Sequence, residues 1–433
     1  MKVSNDLKSF FLSCSFKNQN PFSLKMFKKL LSQMGPGPLI AAAFIGPGTI
    51  TLCTLVGAQY GLELIWAILV AIIAAIVLQG MAVRLGVIGQ KSITQAIKDE
   101  IKTPWIQSGL LTLIFLAIMI GNTAYEAGNI SGAVLGLETL FGKKSLNAFG
   151  FEINLFSIGI GLIAASLLWT GKYKIIERSL VVLVILMSIS FLITAMVTGP
   201  SIMAVLSGVF KFSTPQGSVL SIIGLVGTTI VPYNLFLHTE LVKEKWSNKS
   251  DLPFAIKDMV IALVLGGVIS MSVIITAASI QTVSLDSAAD LALGLEPLFG
   301  SFAKYFLSFG LFAAGITSTI TAPLAAAYVV CGCMGWKVNL KNSKFQRVWG
   351  IVILFGILFS ATGLKLIFII QFAQITNGIL LPIIAAILLW ILNKTSLLGA
   401  SRNNLKQNIL GLFIVLISVF LSLRSLWSVY QSF

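Results

Sequence analysis

Ala43-Phe44-Ile45-Gly46-Pro47-Gly48-Thr49-Ile50-Thr51 lies in the middle of an apolar segment that runs from about Gly35 to Tyr60. The segment is long enough to cross a bilayer as one helix, which takes roughly 20 apolar residues. Its centre is wrong for one. Proline removes a backbone donor and clashes with the preceding turn, and glycine has little preference for helix. In hydrocarbon, a freed N–H or C=O is costly unless it meets a partner or lines a cavity. The stretch therefore predicts two half-helices with a break that faces something polar. A second break is predicted at Thr228-Thr229-Ile230-Val231-Pro232-Tyr233-Asn234, inside another apolar segment. A plain proline kink would explain either break alone. Their matched positions in two halves of the chain, the glycines around Pro47 and the hydroxyls of Thr49, Thr51, Thr228 and Thr229 favour a paired role. Two interrupted spans at corresponding places point to the binding site of a transporter built from inverted repeats.

Composition agrees with a membrane location. Of 433 residues, 57% are hydrophobic and only 10% charged, whereas a soluble domain has roughly a quarter of its residues charged. The net charge of +15 does not indicate nucleic acid, because the basic residues are spread through short loops rather than gathered on one face. They read as topology signals. The cysteines Cys14, Cys53, Cys331 and Cys333 form no C-x-x-C pair, and a lone His238 excludes a multi-histidine metal site. There is no nucleotide-binding motif, no catalytic constellation and no predicted cofactor. The expected partners are the lipid bilayer and a small ion or small molecule.

The predicted fold is all-α, with about eleven spans near 35–59, 62–88, 105–137, 153–170, 176–198, 217–242, 256–280, 303–333, 347–363, 365–392 and 408–430. A basic tail (1–30) precedes a first five-helix repeat (31–200) and a second (201–395), and a further span closes the chain (396–433). Five is odd, so the second repeat runs inverted to the first. With the N-terminus in the cytoplasm, about 24 of the 30 basic residues fall on the cytoplasmic side, as the positive-inside rule requires. The C-terminus is then outside, and the compartment reads as a bacterial inner membrane.

Several strings resemble one family. Gly35–Gly48 is similar to the first span of the Nramp family of proton-coupled divalent-metal transporters. Leu78–Val87 resembles its second span, Thr228–His238 its sixth and Leu311–Ala325 its eighth, while Gln374 and Pro382 fall where its tenth span has Gln and Pro. The resemblance covers roughly residues 35–395 and implies the five-plus-five fold of the amino acid–polyamine–organocation superfamily. The departures are specific. The family's first-span motif Asp-Pro-Gly-Asn reads Gly46-Pro47-Gly48-Thr49 in this chain, and its sixth-span Met-Pro-His-Asn reads Val231-Pro232-Tyr233-Asn234. The third-span acidic pair is reduced to Thr123 and Glu126. The resemblance leaves Gln374, the carbonyls near Thr228 and His238 in the site.

The missing carboxylate and thioether argue against a manganese or iron site, since a soft ligand selects transition metals. Thr49, Thr228 and Gln374 are hard neutral donors that suit a partly hydrated cation such as Mg²⁺, which gives up water reluctantly. Glu126, the acidic side chain deep in a span, is the candidate counter-charge or proton carrier; the bland reading is a helix-locking contact with Asn122, Tyr125 or Asn129. The opposite reading is anionic. Loss of the acid leaves the N-terminus of the second half-helix free to receive a carboxylate, with Tyr233 and Thr228 against the body of a small organic acid or amino acid. A non-transporting sensor on the same fold is the third reading. Glu177 is a candidate gate or a solvated helix-end acid. His238 is a candidate proton carrier or a satisfied interior histidine. Thr317-Ser318-Thr319 either lines the path or packs helices together.

Overall fold

The computed structural model describes residues 35–148, 151–280, 300–361 and 366–431; the basic tail predicted at 1–30 lies outside the described residues. The first apolar segment divides into α1 (Gly37–Phe44) and α2 (Pro47–Tyr60), followed by α3 (Ile65–Gly89), a short α4 (Ile93–Glu100) and the long α5 (Pro104–Phe141). A hairpin of β1 (Ser145–Ala148) and β2 (Phe151–Asn154) leads to α6 (Leu155–Trp169), α7 (Tyr173–Val197) and α8 (Ile202–Phe210). The second broken segment is α9 (Val219–Thr229) and α10 (Pro232–Lys245). After it come α11 (Leu252–Ala278), α12 (Ser301–Met334), α13 (Ser343–Ala361), α14 (Leu366–Ile391), α15 (Thr395–Leu398) and α16 (Leu405–Gln431).

Both breaks fall at the prolines the sequence singled out. Pro47 and Pro232 each open a new helix, the position where a missing N–H costs nothing. The residues before them are extended, Gly46 at φ −92° and ψ 170° and Val231 at φ −96° and ψ 125°, as a following proline requires. Pro323 and Pro382, by contrast, sit inside continuous α12 and α14. Proline alone does not cut a span in this chain.

Helix occupies each of the eleven predicted apolar stretches. Among the described residues, eight segments are long and apolar enough to cross a membrane, or nine if Leu380–Ile391 and Thr395–Ser401, bent by 68°, form one span. With that pair counted as the tenth span, two of the eleven fall short: the first, divided into α1 and α2 of 8 and 14 residues, and the fourth, α6, of 15. The hairpin departs from a purely helical expectation. Ser145 pairs with Asn154 and Ala148 with Phe151 in antiparallel register, and Lys143 bridges Glu152 at 2.7 Å.

α12 is the central post. The apolar stretch of Lys304–Met334 is 94% buried, against 22% for that of Leu405–Arg424 on α16. Large apolar side chains such as Leu116, Leu162, Ile189, Leu358 and Phe420 are exposed on the outer faces, as a lipid-facing surface requires. Close packing at the first break depends on Gly132 of α5. A Cβ there would overlap the ring of Pro47, so the bare backbone lets α5 press against the break.

Candidate functional site

The first break is closed by hydroxyls. Pro47 has no N–H to offer Ala43, and the extended Gly46 gives none to Ala42, so the end of α1 should expose carbonyls. Each one meets a side chain instead. Ser318 of α12 donates to Ala42 O at 3.2 Å, Tyr233 of α10 to Ala43 O at 3.2 Å, and Thr49 of α2 to Phe44 O at 3.2 Å. Ala41 O keeps a backbone partner in Ile45 N. Three helices therefore converge on the C-terminal turn of α1, and the bond from Tyr233 joins the two breaks directly. Tyr233 is also held edge-on to Tyr125 of α5, with ring centroids 5.9 Å apart.

Gly46 looks into the same core. A Cβ placed on it would stand 3.1 Å from Ser318 Oγ and 3.6 Å from Asn129 Oδ1. A side chain there would require Ser318 to give way by a few tenths of an ångström. Two oxygens, Ser318 Oγ and Asn129 Oδ1, thus border the gap at Gly46. Further along α2, Thr51 Oγ1 is buried without a hydrogen-bond partner.

The second break is different. Thr228 lacks its helical donor because residue 232 is proline, and the extended Val231 makes no bond to Gly227. The Thr228 and Thr229 hydroxyls both turn back onto Leu225 O, at 3.2 and 2.7 Å, and so cap nothing at the break. Asn234 Oδ1, at the start of α10, is buried and unpartnered. Val231 is buried and apolar, and its side chain has no atom to offer a metal. Gln374 lies on α14, and its side chain is outside what the structure describes.

On α5, Glu126 is fully buried, and neither carboxylate oxygen has a hydrogen-bond partner. Its chain packs on the bare backbone of Gly356 in α13. Asn129, one turn on, stands close to that carboxylate without closing a hydrogen bond to it. Of the predicted locking partners, Asn122 is committed elsewhere, donating to Ala322 O at 2.8 Å. Glu126 also lies within electrostatic reach of Tyr233, so the acid and both breaks belong to one cluster.

Two predicted residues stand apart from it. His238 is buried, with Nδ1 2.7 Å from Gln79 Oε1 of α3; Nδ1 is the donor in that pair, and Nε2 has no partner. Glu177, near the start of α7, is half-buried and faces Lys245 and Asp258. Asp258 is a residue that sequence reasoning missed. Its carboxylate accepts the N–H of Gly37 at 2.7 Å and caps the first turn of α1. Its signal was an acid in the second turn of a span, beside Lys257. Gln79 was also missed as a partner of His238, since 159 residues separate the two. Among the described residues, no group of three or more His, Cys, Asp or Glu gathers to hold a metal.

Two broken helices, cross-linked at the core of an otherwise continuous helical array, define a membrane transporter of the broken-helix kind. The family model described as natural resistance-associated macrophage protein-like, Nramp, matches residues 37–428, and the chain belongs to that family. It is 26% identical over 432 residues to the divalent metal cation transporter MntH of Staphylococcus saprophyticus, covering 94% of each chain. It is also 26% identical over 418 residues to MntH of Bacillus subtilis, covering 92% of this chain and 93% of the relative. In structure it resembles the Eremococcus coleocola manganese transporter, with TM-score 0.73 at 20% identity over 95% of this chain and 88% of that one. It resembles MhsT, solved in complex with L-phenylalanine, at TM-score 0.56 and 17% identity over 91% and 98% of the two chains. At such identities the structural likenesses speak to the fold.

Proposed function

We propose that this chain moves a divalent metal cation across the membrane by alternating access at the paired breaks, and that it favours a hard cation such as Mg²⁺ over Mn²⁺ or Fe²⁺. The names of its curated relatives support the substrate class. One observation carries the preference: among the described residues, the candidate ligand atoms around the breaks are oxygens. Asn129 Oδ1 and Ser318 Oγ border the gap at Gly46, Asn234 Oδ1 and Thr51 Oγ1 are buried and unpartnered, and the Gly227 and Thr228 carbonyls lack their helical donors. Val231 supplies no sulfur. Such a set suits an ion that keeps part of its water shell and gives nothing extra to a softer metal.

In this reading the fold is a five-plus-five inverted repeat in a bacterial inner membrane, with the N-terminus in the cytoplasm and the C-terminus outside. Thr49, Thr228 and Gln374 are metal ligands. Glu126 carries the compensating charge or proton, His238 lies on the proton path, and Glu177 gates the cytoplasmic end. A small-carboxylate substrate is the second reading. It is favoured by the N-terminus of α2, where no side chain caps the first N–H groups.

A thermal-shift screen of purified protein against Mg²⁺, Mn²⁺ and amino acids separates these readings, because a ligand bound only by the folded state raises apparent stability. Stabilisation by Mg²⁺ with a weak response to Mn²⁺ is expected. Stabilisation by an amino acid alone would install the second reading. Mg²⁺ binding without uptake into proteoliposomes would leave a sensor.

A further inference from the structure

Asn129 lies between the gap at Gly46 and the buried acid. Its Oδ1 is 3.6 Å from the point where a Gly46 Cβ would stand. Its Nδ2 is buried, has no hydrogen-bond partner, and is near the equally unpartnered carboxylate of Glu126. A carboxamide is a fixed dipole with an acceptor at one end and two donors at the other. In this site the acceptor end faces the break and the donor end faces the carboxylate. Ser318 Oγ borders the same gap at 3.1 Å, with its proton committed to Ala42 O, so a lone pair is all it has left to offer.

A dication among neutral donors in a dry site is unfavourable unless a negative charge is near. Among the described residues, the groups around Glu126 are uncharged: Tyr125 on its own helix, Tyr233 of α10 and the bare Gly356 of α13. Glu126 is, among the described residues, the acid that the gap reaches through a single amide. We propose that Asn129 is a ligand of the transported cation: its Oδ1 takes the ion at the Gly46 gap, and its Nδ2–H connects that ion to the Glu126 carboxylate. The anion that balances the cargo then sits on α5 instead of the first span. The inference rests on the cation reading above and adds to it a ligand and a path for charge.

The test is calorimetric titration of Mg²⁺ into the purified full chain and four variants: Asn129→Leu, Asn129→Asp, Glu126→Gln and the double Glu126→Gln/Asn129→Asp. Asn129→Leu should weaken binding about tenfold or more, the loss of one charge-assisted contact. Asn129→Asp, nearly the same shape, places a carboxylate at the gap. It should tighten binding about tenfold and rescue Glu126→Gln. A merely structural Asn129 would not produce that rescue. If Asn129→Leu fails to fold, the aspartate variant and the double variant decide. Wild-type binding with both Asn129 variants unchanged overturns this inference and leaves the transport reading standing. No divalent binding by the wild type overturns both.

Discussion

The two breaks have the same local grammar and opposite states. Each is a helix that stops three residues before a proline, an extended residue and a new helix opened by that proline. At the first, the carbonyls of Ala42, Ala43 and Phe44 are each held by a hydroxyl from α12, α10 or α2. At the second, the local hydroxyls of Thr228 and Thr229 serve Leu225, one turn back in their own helix. An extended residue ahead of the proline thus marks where each helix stops and the next begins. Distant side chains decide whether the end carbonyls are sealed, and at the second break those of Gly227 and Thr228 are left without their helical donors.

Substitutions at the packing glycines should expose this asymmetry most strongly. Gly132→Val puts side-chain atoms into Pro47 at the sealed break and should cost about 3 kcal/mol or prevent folding, as overpacking does. Gly227→Ala at the open break meets nothing within 4 Å and replaces glycine inside a helix, so it should be neutral or stabilise by up to about 1 kcal/mol. Melting temperatures in detergent give both values. Equal destabilisation would mean the breaks are packed alike.

The hydroxyls come next. Tyr233→Phe removes the bond to Ala43 O and should cost about 1 kcal/mol or somewhat more, because a buried carbonyl loses its only donor. Hydrogen exchange at Ile45–Thr49 should quicken with it. Thr228→Val, which removes a hydrogen bond made only to its own helix, should change stability by less than about 0.5 kcal/mol. Exchange at the first break that is insensitive to Tyr233→Phe would show that its carbonyls are not sealed by the hydroxyls.

Selectivity sharpens the same contrast. Gly46→Asp alone meets Ser318 Oγ. Combined with Ser318→Ala it has room, and the added carboxylate should tighten Mn²⁺ binding about tenfold relative to the parent. Calorimetry on the double variant reads this directly; unchanged Mn²⁺ affinity would mean the gap at Gly46 is not where the cation sits.

The smallest effect lies outside the membrane, at the hairpin. Lys143 and Ser145 hold the Glu152 carboxyl below the usual carboxylate range, and the same contact raises Lys143. A depressed acid adds stability above its unfolded value, near 4.3, and that contribution disappears as pH falls through the lower, folded value. Exposure keeps the effect small. The difference in melting temperature between the parent and Glu152→Gln should shrink on acidification below about pH 4, and a difference independent of pH would contradict the pairing.

Much of this was legible in the chain. Gly46-Pro47-Gly48 and Val231-Pro232 announced the breaks because proline's missing donor is a local fact, and the eleven apolar stretches marked where helix would form. Glu126 stood out as an acid in hydrocarbon. The hydroxyl seal was not legible: Tyr233 meets Ala43 across 190 residues and Ser318 meets Ala42 across 276, and nothing local selects those pairs. Asn129 read only as a helix-locking contact, because its two ends look different only once Gly46 is known to face one of them. Asp258 and Gln79 were missed for the same reason. The hairpin at 145–154 escaped because it is short and sits between two long spans.

What the two breaks hold is most directly tested by competition between a hard and a softer metal. Purified protein in sealed vesicles would be given Mg²⁺ outside and a Mg²⁺ indicator inside, with Mn²⁺ added as competitor over a wide range. A site built only from oxygen predicts saturable Mg²⁺ uptake, with half-inhibition by Mn²⁺ at no lower a concentration than the Mg²⁺ that half-saturates transport. Inhibition by Mn²⁺ at about a hundredfold lower concentration, a difference near 2.7 kcal/mol, would show a soft ligand in the path and contradict an all-oxygen site at Gly46 and Val231.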